Sequence, residues 1–108
     1  FVQDAAIVAL NECADDVEAM RQEYQRRKDF MVKALNDIDG ISCNNPQGAF
    51  YIFVNVKSLG MTSMEVAEYL LEHAKVALVP GSAFGSEGEG YLRISYACSY
   101  ESEKQLQN

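Results

Sequence analysis

From Phe1 to Asp39 the chain contains neither proline nor glycine. Over a third of a 108-residue sequence is thus free of the two strongest helix breakers. Within it Val17, Met20, Tyr24, Met31, Leu35 and Ile38 recur at helical spacing. Asp15 and Asp16 favour a helix start, by capping and by the helix dipole. Gly40 supplies the stop. A helix from Asp16 to Asp39 would be roughly 36 Å long, which is long for so small a domain. Phe1 to Leu10 is apolar and also reads as helix, bent away from the rest.

The remainder alternates short strands with one helix. Ile41 to Cys43 is a short apolar piece, followed by the turn cluster Asn44-Asn45-Pro46-Gln47-Gly48. Ala49 to Val56 carries the strongest strand signal, and its low polarity predicts cover on both faces. Thr62-Ser63-Met64-Glu65 forms a capping box. The helix it opens places Val66, Tyr69, Leu70 and Ala74 on one face. Val76 to Val79 reads as a strand stopped by Pro80-Gly81, Ser82 to Gly90 as a glycine-rich loop, and Tyr91 to Ala97 as the last strand. Ser99 can cap a final helix, with only Leu106 to bury. The predicted fold class is α+β: a small mixed or antiparallel sheet with helices packed on it, preceded by a long helix.

Several functions are disfavoured by composition. The net charge of −7 leaves no basic face for a nucleic-acid backbone. Arg26-Arg27-Lys28 sits among Glu23, Gln25 and Asp29 and reads as a solvated helix face. The three cysteines, Cys13, Cys43 and Cys98, lack paired spacing, and the single His73 has no second ligand near it in sequence. Neither a disulfide framework nor a metal site is expected. Free thiols point to a reducing, cytoplasmic compartment. No apolar run is long enough to span a bilayer. The start at Phe1, without an initiator Met, fits an excised piece of a longer protein.

Arg93 is the leading candidate for chemistry. On a strand it shares a face with Tyr91 and Ser95, opposite Leu92, Ile94 and Tyr96. A guanidinium on a strand presents a rigid fork of donors that matches a carboxylate. The competing reading is an edge-strand arginine directed at water or a local Glu. The glycines of Pro80-Gly81-Ser82-Ala83-Phe84-Gly85 could cradle an anion, or could be plain turn residues. Lys28, Lys33, Lys57, Lys75 and Lys104 all lie in polar settings and read as solvated, and His73 as surface or boundary. Ser82, Ser95 and Ser99 lack a His and Asp arrangement, so a hydrolase triad is not supported.

Three blocks carry a resemblance: Pro46 to Phe53, Val76 to Gly85 and Gly90 to Ala97. In order and spacing they resemble the class I/II aminotransferases of fold type I, nearest to the aspartate aminotransferase-like branch of bacteria and archaea. The helix bearing Arg26-Arg27-Lys28-Asp29 is similar to the one that leads into the small domain there. The likeness spans essentially the whole chain. It implies a C-terminal small domain over residues 1–108, with 1–40 a long helical lead-in and 41–108 an α/β core, and the large cofactor domain absent. It implies that Arg93 binds the substrate α-carboxylate and that Phe50 packs beside the substrate. It places pyridoxal phosphate in the full-length parent and neither cofactor nor catalytic residue in this piece, which alone would be inactive. The implied partners are an amino acid or 2-oxo acid and the large domain of the same polypeptide, in a parent that is usually a homodimer. Phe1, Val2, Ile7, Val8 and Leu10 would then form an exposed apolar patch, which either docks on a second copy or swings from its family position. The alternatives are a freestanding amino-acid-binding module and a structural or oligomerisation module.

Overall fold

The computed structural model describes residues 1–97. Its elements are α1 (Val2–Glu12), α2 (Ala14–Asn36), β1 (Ser42–Cys43), β2 (Tyr51–Asn55), α3 (Ser63–His73), β3 (Val79–Pro80) and β4 (Tyr91–Ser95). Short 3-10 turns occupy Lys57–Leu59, Gly81–Phe84 and Ser86–Gly88. The four strands form an antiparallel sheet in the order β1-β2-β4-β3. The α+β class is therefore as expected. The final helix predicted from Ser99 lies outside the described residues.

The long helical region breaks once, at Cys13, whose φ of −110° and ψ of 23° leave helical geometry. Beyond the break α2 runs for 23 residues and ends at Asn36, three residues short of the expected Asp39. Only its C-terminal part packs. Met31 and Leu35 are buried, whereas Val17, Met20 and Ile38 are exposed. The apolar stripe is continuous in sequence, but the sheet meets only its last turns. The result is an elongated molecule, 50 × 27 × 24 Å. Its radius of gyration is 16.4 Å, against roughly 13 Å for a compact domain of this length.

The core lies between one face of the sheet and helices α2 and α3. Ile52, Val54 and Val56 from β2 and its end meet Leu92, Ile94 and Tyr96 from β4 and its end, beneath Met31, Leu35, Val66 and Ala67. Full burial stabilises each large aliphatic here by about 1.5–3 kcal/mol. The capping box forms as predicted: Thr62 Oγ1 accepts from the Glu65 N–H, and Glu65 Oε2 from the Thr62 N–H. This fixes where α3 begins and turns Ser63, Val66 and Ala67 inward.

Several local expectations are corrected. β2 is covered on one face only: Phe53 is 44% exposed, and Tyr51 and Asn55 are half-buried. Among the described residues both packing helices lie on the opposite face, so apolar sequence on the open face is not matched by cover. On α3, Tyr69 and Ala74 are exposed and the packing row is Ser63, Val66, Ala67 and half-buried Leu70. The capping box sets the helix phase, and that phase carries Tyr69 outward. The third strand is Val79–Pro80 rather than Val76 to Val79, because Lys75 turns through a positive φ of 59° and pairing starts only at Val79. Pro80 sits inside it at a sheet edge, where a missing N–H costs no ladder bond. The Arg26-Arg27-Lys28 run is not a uniformly solvated face. Arg26 is open, but the Arg27 and Lys28 side chains are only 18% and 13% exposed. Their alkyl stems lie along the protein surface, while Glu23 pairs with both arginines.

Phe1, Val2, Ile7, Val8 and Leu10 are all exposed, as expected. No residue of α1 is buried. Removal of residues 1–14 is therefore expected to leave the unfolding free energy of the remaining fold within about 0.5 kcal/mol of that of the intact chain. Urea unfolding followed by circular dichroism checks this. A loss of several kcal/mol would show that α1 supports the core.

Candidate functional site: an arginine on the open sheet face

The antiparallel register decides what the open face contains. β2 and β4 pair Tyr51 with Ser95, Phe53 with Arg93, and Asn55 with Tyr91. These six residues share one face, and the intervening residues Ile52, Val54, Leu92 and Ile94 fill the core. Arg93 is not on an edge strand. β4 is flanked by β2 and β3, and Arg93 lies opposite Phe53 on one side and Val79 on the other. The reading of an edge-strand arginine is set aside.

Arg93 is half-buried, and two aromatic rings close on its guanidinium carbon. Tyr51, its diagonal neighbour across the ladder, has its ring centroid 4.3 Å away. Phe84, from the 3-10 turn after β3, lies at 4.6 Å. Phe53 meets Phe84 edge-on at 5.9 Å. Among the described residues no carboxylate pairs with Arg93. A shallow pocket of about 290 Å³ lies on the same face, lined in part by Asn44, Pro46, Tyr51, Phe53 and Tyr91. It shares Tyr51 and Phe53 with the arginine cluster.

Phe50 occupies a different position. Its ring lies 6.1 Å from Tyr24 of α2 and 4.6 Å from Tyr51. The two predicted site residues are thus linked through Tyr51, which contacts both. The turn before Phe50 is fixed from behind. Ala49 has a positive φ of 57°, a conformation costly for a side chain with a Cβ. The buried Tyr96 hydroxyl donates to the Ala49 carbonyl at 2.6 Å, and the Tyr96 N–H donates to the Phe50 carbonyl at 3.0 Å. These bonds stabilise a turn whose local preference lies elsewhere.

A second polar cluster holds the loop that carries Phe84. Ser63 is fully buried at the start of α3. Its N–H donates to Glu89 Oε1 at 2.9 Å and its hydroxyl to Glu89 Oε2 at 3.0 Å. The Ser63 and Ser82 hydroxyls are 3.2 Å apart. Glu89 therefore bonds at the α3 N-terminus, where the helix dipole favours an anion. Sequence reasoning missed Tyr51, Phe84 and Glu89 as neighbours of the site. Tyr51 was recoverable from strand alternation once β2 and β4 are paired. The other two depend on the loop path.

The described residues hold no other reactive arrangement. No group of three or more His, Cys, Asp or Glu side chains could hold a metal among them. Burial pushes the Cys43 thiol up, away from thiolate character. His73 is exposed, stacked on Tyr69 at 4.2 Å with Nδ1 facing the Tyr69 carbonyl. Lys57 lies over the Tyr91 ring, Lys75 donates to the Glu72 carbonyl, and Lys28 is 3.9 Å from Asp29. No described helix is long and apolar enough to cross a membrane.

The Ser63 N–H, then the Ser63 hydroxyl, hold the Glu89 carboxyl below its ordinary 4.5. A carboxyl lowered on folding contributes stability that is present above its unfolded pKa and lost as pH falls through the folded value. Glu89→Gln is therefore expected to lower the urea midpoint at neutral pH, with the gap to wild type closing on acidification below about 4.5. A gap independent of pH would exclude the carboxylate tie.

Comparison with known proteins gives the same family from sequence and from shape. The family described as aminotransferase class I and II matches residues 1–106. The aspartate aminotransferase of Pyrococcus abyssi is 52% identical over 94% of this chain. The aromatic-amino-acid aminotransferase 2 of Thermococcus litoralis is 50% identical over 94%. A Pyrococcus crystal structure, 46% identical, superimposes on 98% of the chain with a TM-score of 0.94. The chain spans about a quarter of the curated relatives' length, 26% in both cases. It belongs to the class I and II aminotransferase family.

Proposed function

We propose that this chain is the C-terminal small domain of a pyridoxal-phosphate-dependent aminotransferase and that Arg93 binds the α-carboxylate of its amino-acid or 2-oxo-acid substrate. The observation that carries this reading is a cation on a central strand whose donors meet no partner among the described residues. Arg93 is packed by two rings, and no described carboxylate neutralises it. A partly buried guanidinium without a protein anion favours a ligand anion, and a carboxylate fits its fork bidentately. The strand and the rings fix its direction before the ligand arrives, which lowers the ordering cost of binding. Phe50, whose ring contacts Tyr51, supplies an apolar wall in this reading.

The described residues do not by themselves form a cofactor site. Lys57 lines a surface pocket together with Glu65 and Glu89, whose charges oppose a phosphate. The other described lysines are tied to backbone, beside an aspartate, or exposed. Pyridoxal phosphate, the cofactor expected of the family, supplies an electron sink for amino-group transfer when bound. In this reading the rest of the polypeptide holds it. This chain's residues anchor one end of the substrate, orient its Cα toward the cofactor, and exclude water as the domains close. The small domain alone is accordingly expected to be inactive. Mixed with pyridoxal phosphate, it should give no stoichiometric absorbance band that disappears on replacing a single lysine.

The decisive test is Arg93→Lys in the full-length enzyme. Lysine keeps the charge and loses the fork, so kcat/KM for the amino-acid substrate should fall by about 2–4 kcal/mol in transition-state stabilisation. Steady-state kinetics measures it. An unchanged kcat/KM would remove Arg93 from the site.

A further inference from the structure

An arginine inside a protein is ordinarily held in place by a carboxylate, which occupies the same N–H donors that a ligand would need. Arg93 is held differently. The faces of Tyr51 and Phe84 lie 4.3 and 4.6 Å from its guanidinium carbon. An aromatic face attracts a cation without accepting its hydrogen bonds in the way an oxygen does. The rings therefore restrain the group and shield it from water while its donors stay available. A less hydrated cation also makes stronger charge-assisted bonds.

The two rings have different origins. Tyr51 belongs to β2 and comes with the ladder. Phe84 arrives from a loop, and that loop is built to one path. The backbones of Gly81 and Gly88 are in close contact: a Cβ on either would lie 2.0 Å from the carbonyl oxygen of the other. Ser82, two residues before Phe84, meets the buried Ser63 hydroxyl, and Ser63 also binds Glu89 at the end of the same loop. Phe53 abuts the Phe84 ring from the sheet. Yet Phe84 remains 51% exposed and is absent from the core cluster. The loop is tied at two points, and the ring it presents, which contributes little to the core, meets Arg93 and Phe53.

We propose that Phe84 is a positioning residue for the substrate carboxylate: by stacking on Arg93 without using its donors, it sets how well Arg93 binds that group. This rests on the carboxylate reading of Arg93 given above. Phe84 acts through the arginine and takes no part in proton or amino-group transfer.

The experiment is a double-mutant cycle in the full-length, cofactor-loaded enzyme. Phe84→Leu should raise KM for the amino-acid substrate roughly five- to thirtyfold, the loss of one cation–π contact, with kcat nearly unchanged because the interaction is made in ground and transition states alike. Phe84→Tyr, which keeps a ring face, should restore a KM close to wild type. KM for a primary amine of the same side chain lacking the α-carboxylate should not move. In an Arg93→Lys background, Phe84→Leu should add nothing further. The cofactor absorbance spectrum and melting temperature of each variant confirm folding, and Phe84→Met serves as the second ring-less variant if the leucine protein is unstable. If Arg93→Lys is impaired while ring-less variants keep the wild-type KM, or lose equally with and without Arg93, the role of Phe84 is overturned and the carboxylate reading stands. If Arg93→Lys is itself unimpaired, both fall.

Discussion

The structure depends on one five-residue antiparallel pairing, Tyr51–Asn55 against Tyr91–Ser95. Its register does two things at once. It stacks Ile52 and Val54 with Leu92 and Ile94 on one face, where α2 and α3 can cover them. It also aligns Tyr51, Phe53, Tyr91 and Arg93 on the other. Because side chains alternate with a period of two, a slip by one residue would exchange the faces. The core would then receive a guanidinium, and the open face would expose aliphatic residues. The energetics that specify the fold therefore also specify which way Arg93 points.

The sequence revealed most of this where a local chemical rule applied. The capping box at Thr62 and Glu65 named the start of α3 correctly, since both hydrogen bonds are internal to four residues. Alternation along the last strand put Leu92, Ile94 and Tyr96 on the face opposite Arg93, and that face is the one buried in the core. Where tertiary contact decides, the reading failed. Phe53 has the composition of a buried strand residue, but no described helix lies over it. Val17 and Met20 continue the apolar stripe of α2 past the point where the sheet ends. Lys75 takes up a left-handed turn that no residue preference announces, and it delays β3 by three residues.

The site was legible to the same degree. Arg93 stood out as a charge among strand residues, and the blocks around it resembled the class I and II aminotransferases. Its aromatic neighbours did not stand out. Phe84 is nine residues from Arg93 in sequence and reaches it only because the loop folds back. Ser63 and Glu89 are 26 residues apart and meet where that loop passes the α3 N-terminus. Contacts of this kind depend on a path through space, and short-range pattern carries no record of it. Relatives matched at 52% and 50% identity bear the names of an aspartate and an aromatic-amino-acid enzyme. Likeness over this quarter of their length therefore does not separate relatives that carry different names.

The meeting of Gly81 and Gly88 constrains how this segment can change over evolutionary time. Each position excludes a Cβ because of the other's backbone, not because of a neighbouring side chain that could be trimmed in exchange. No compensating mutation at the partner can relieve the clash, since glycine is already the smallest residue. The pair also fixes the spacing between the two backbones, so an inserted or deleted residue would move Phe84 off its arginine. The open residues in between, Ser86 and Glu87 among them, are free to drift in identity. The loop should diverge in composition while resisting any change in length, the reverse of the usual behaviour of surface loops.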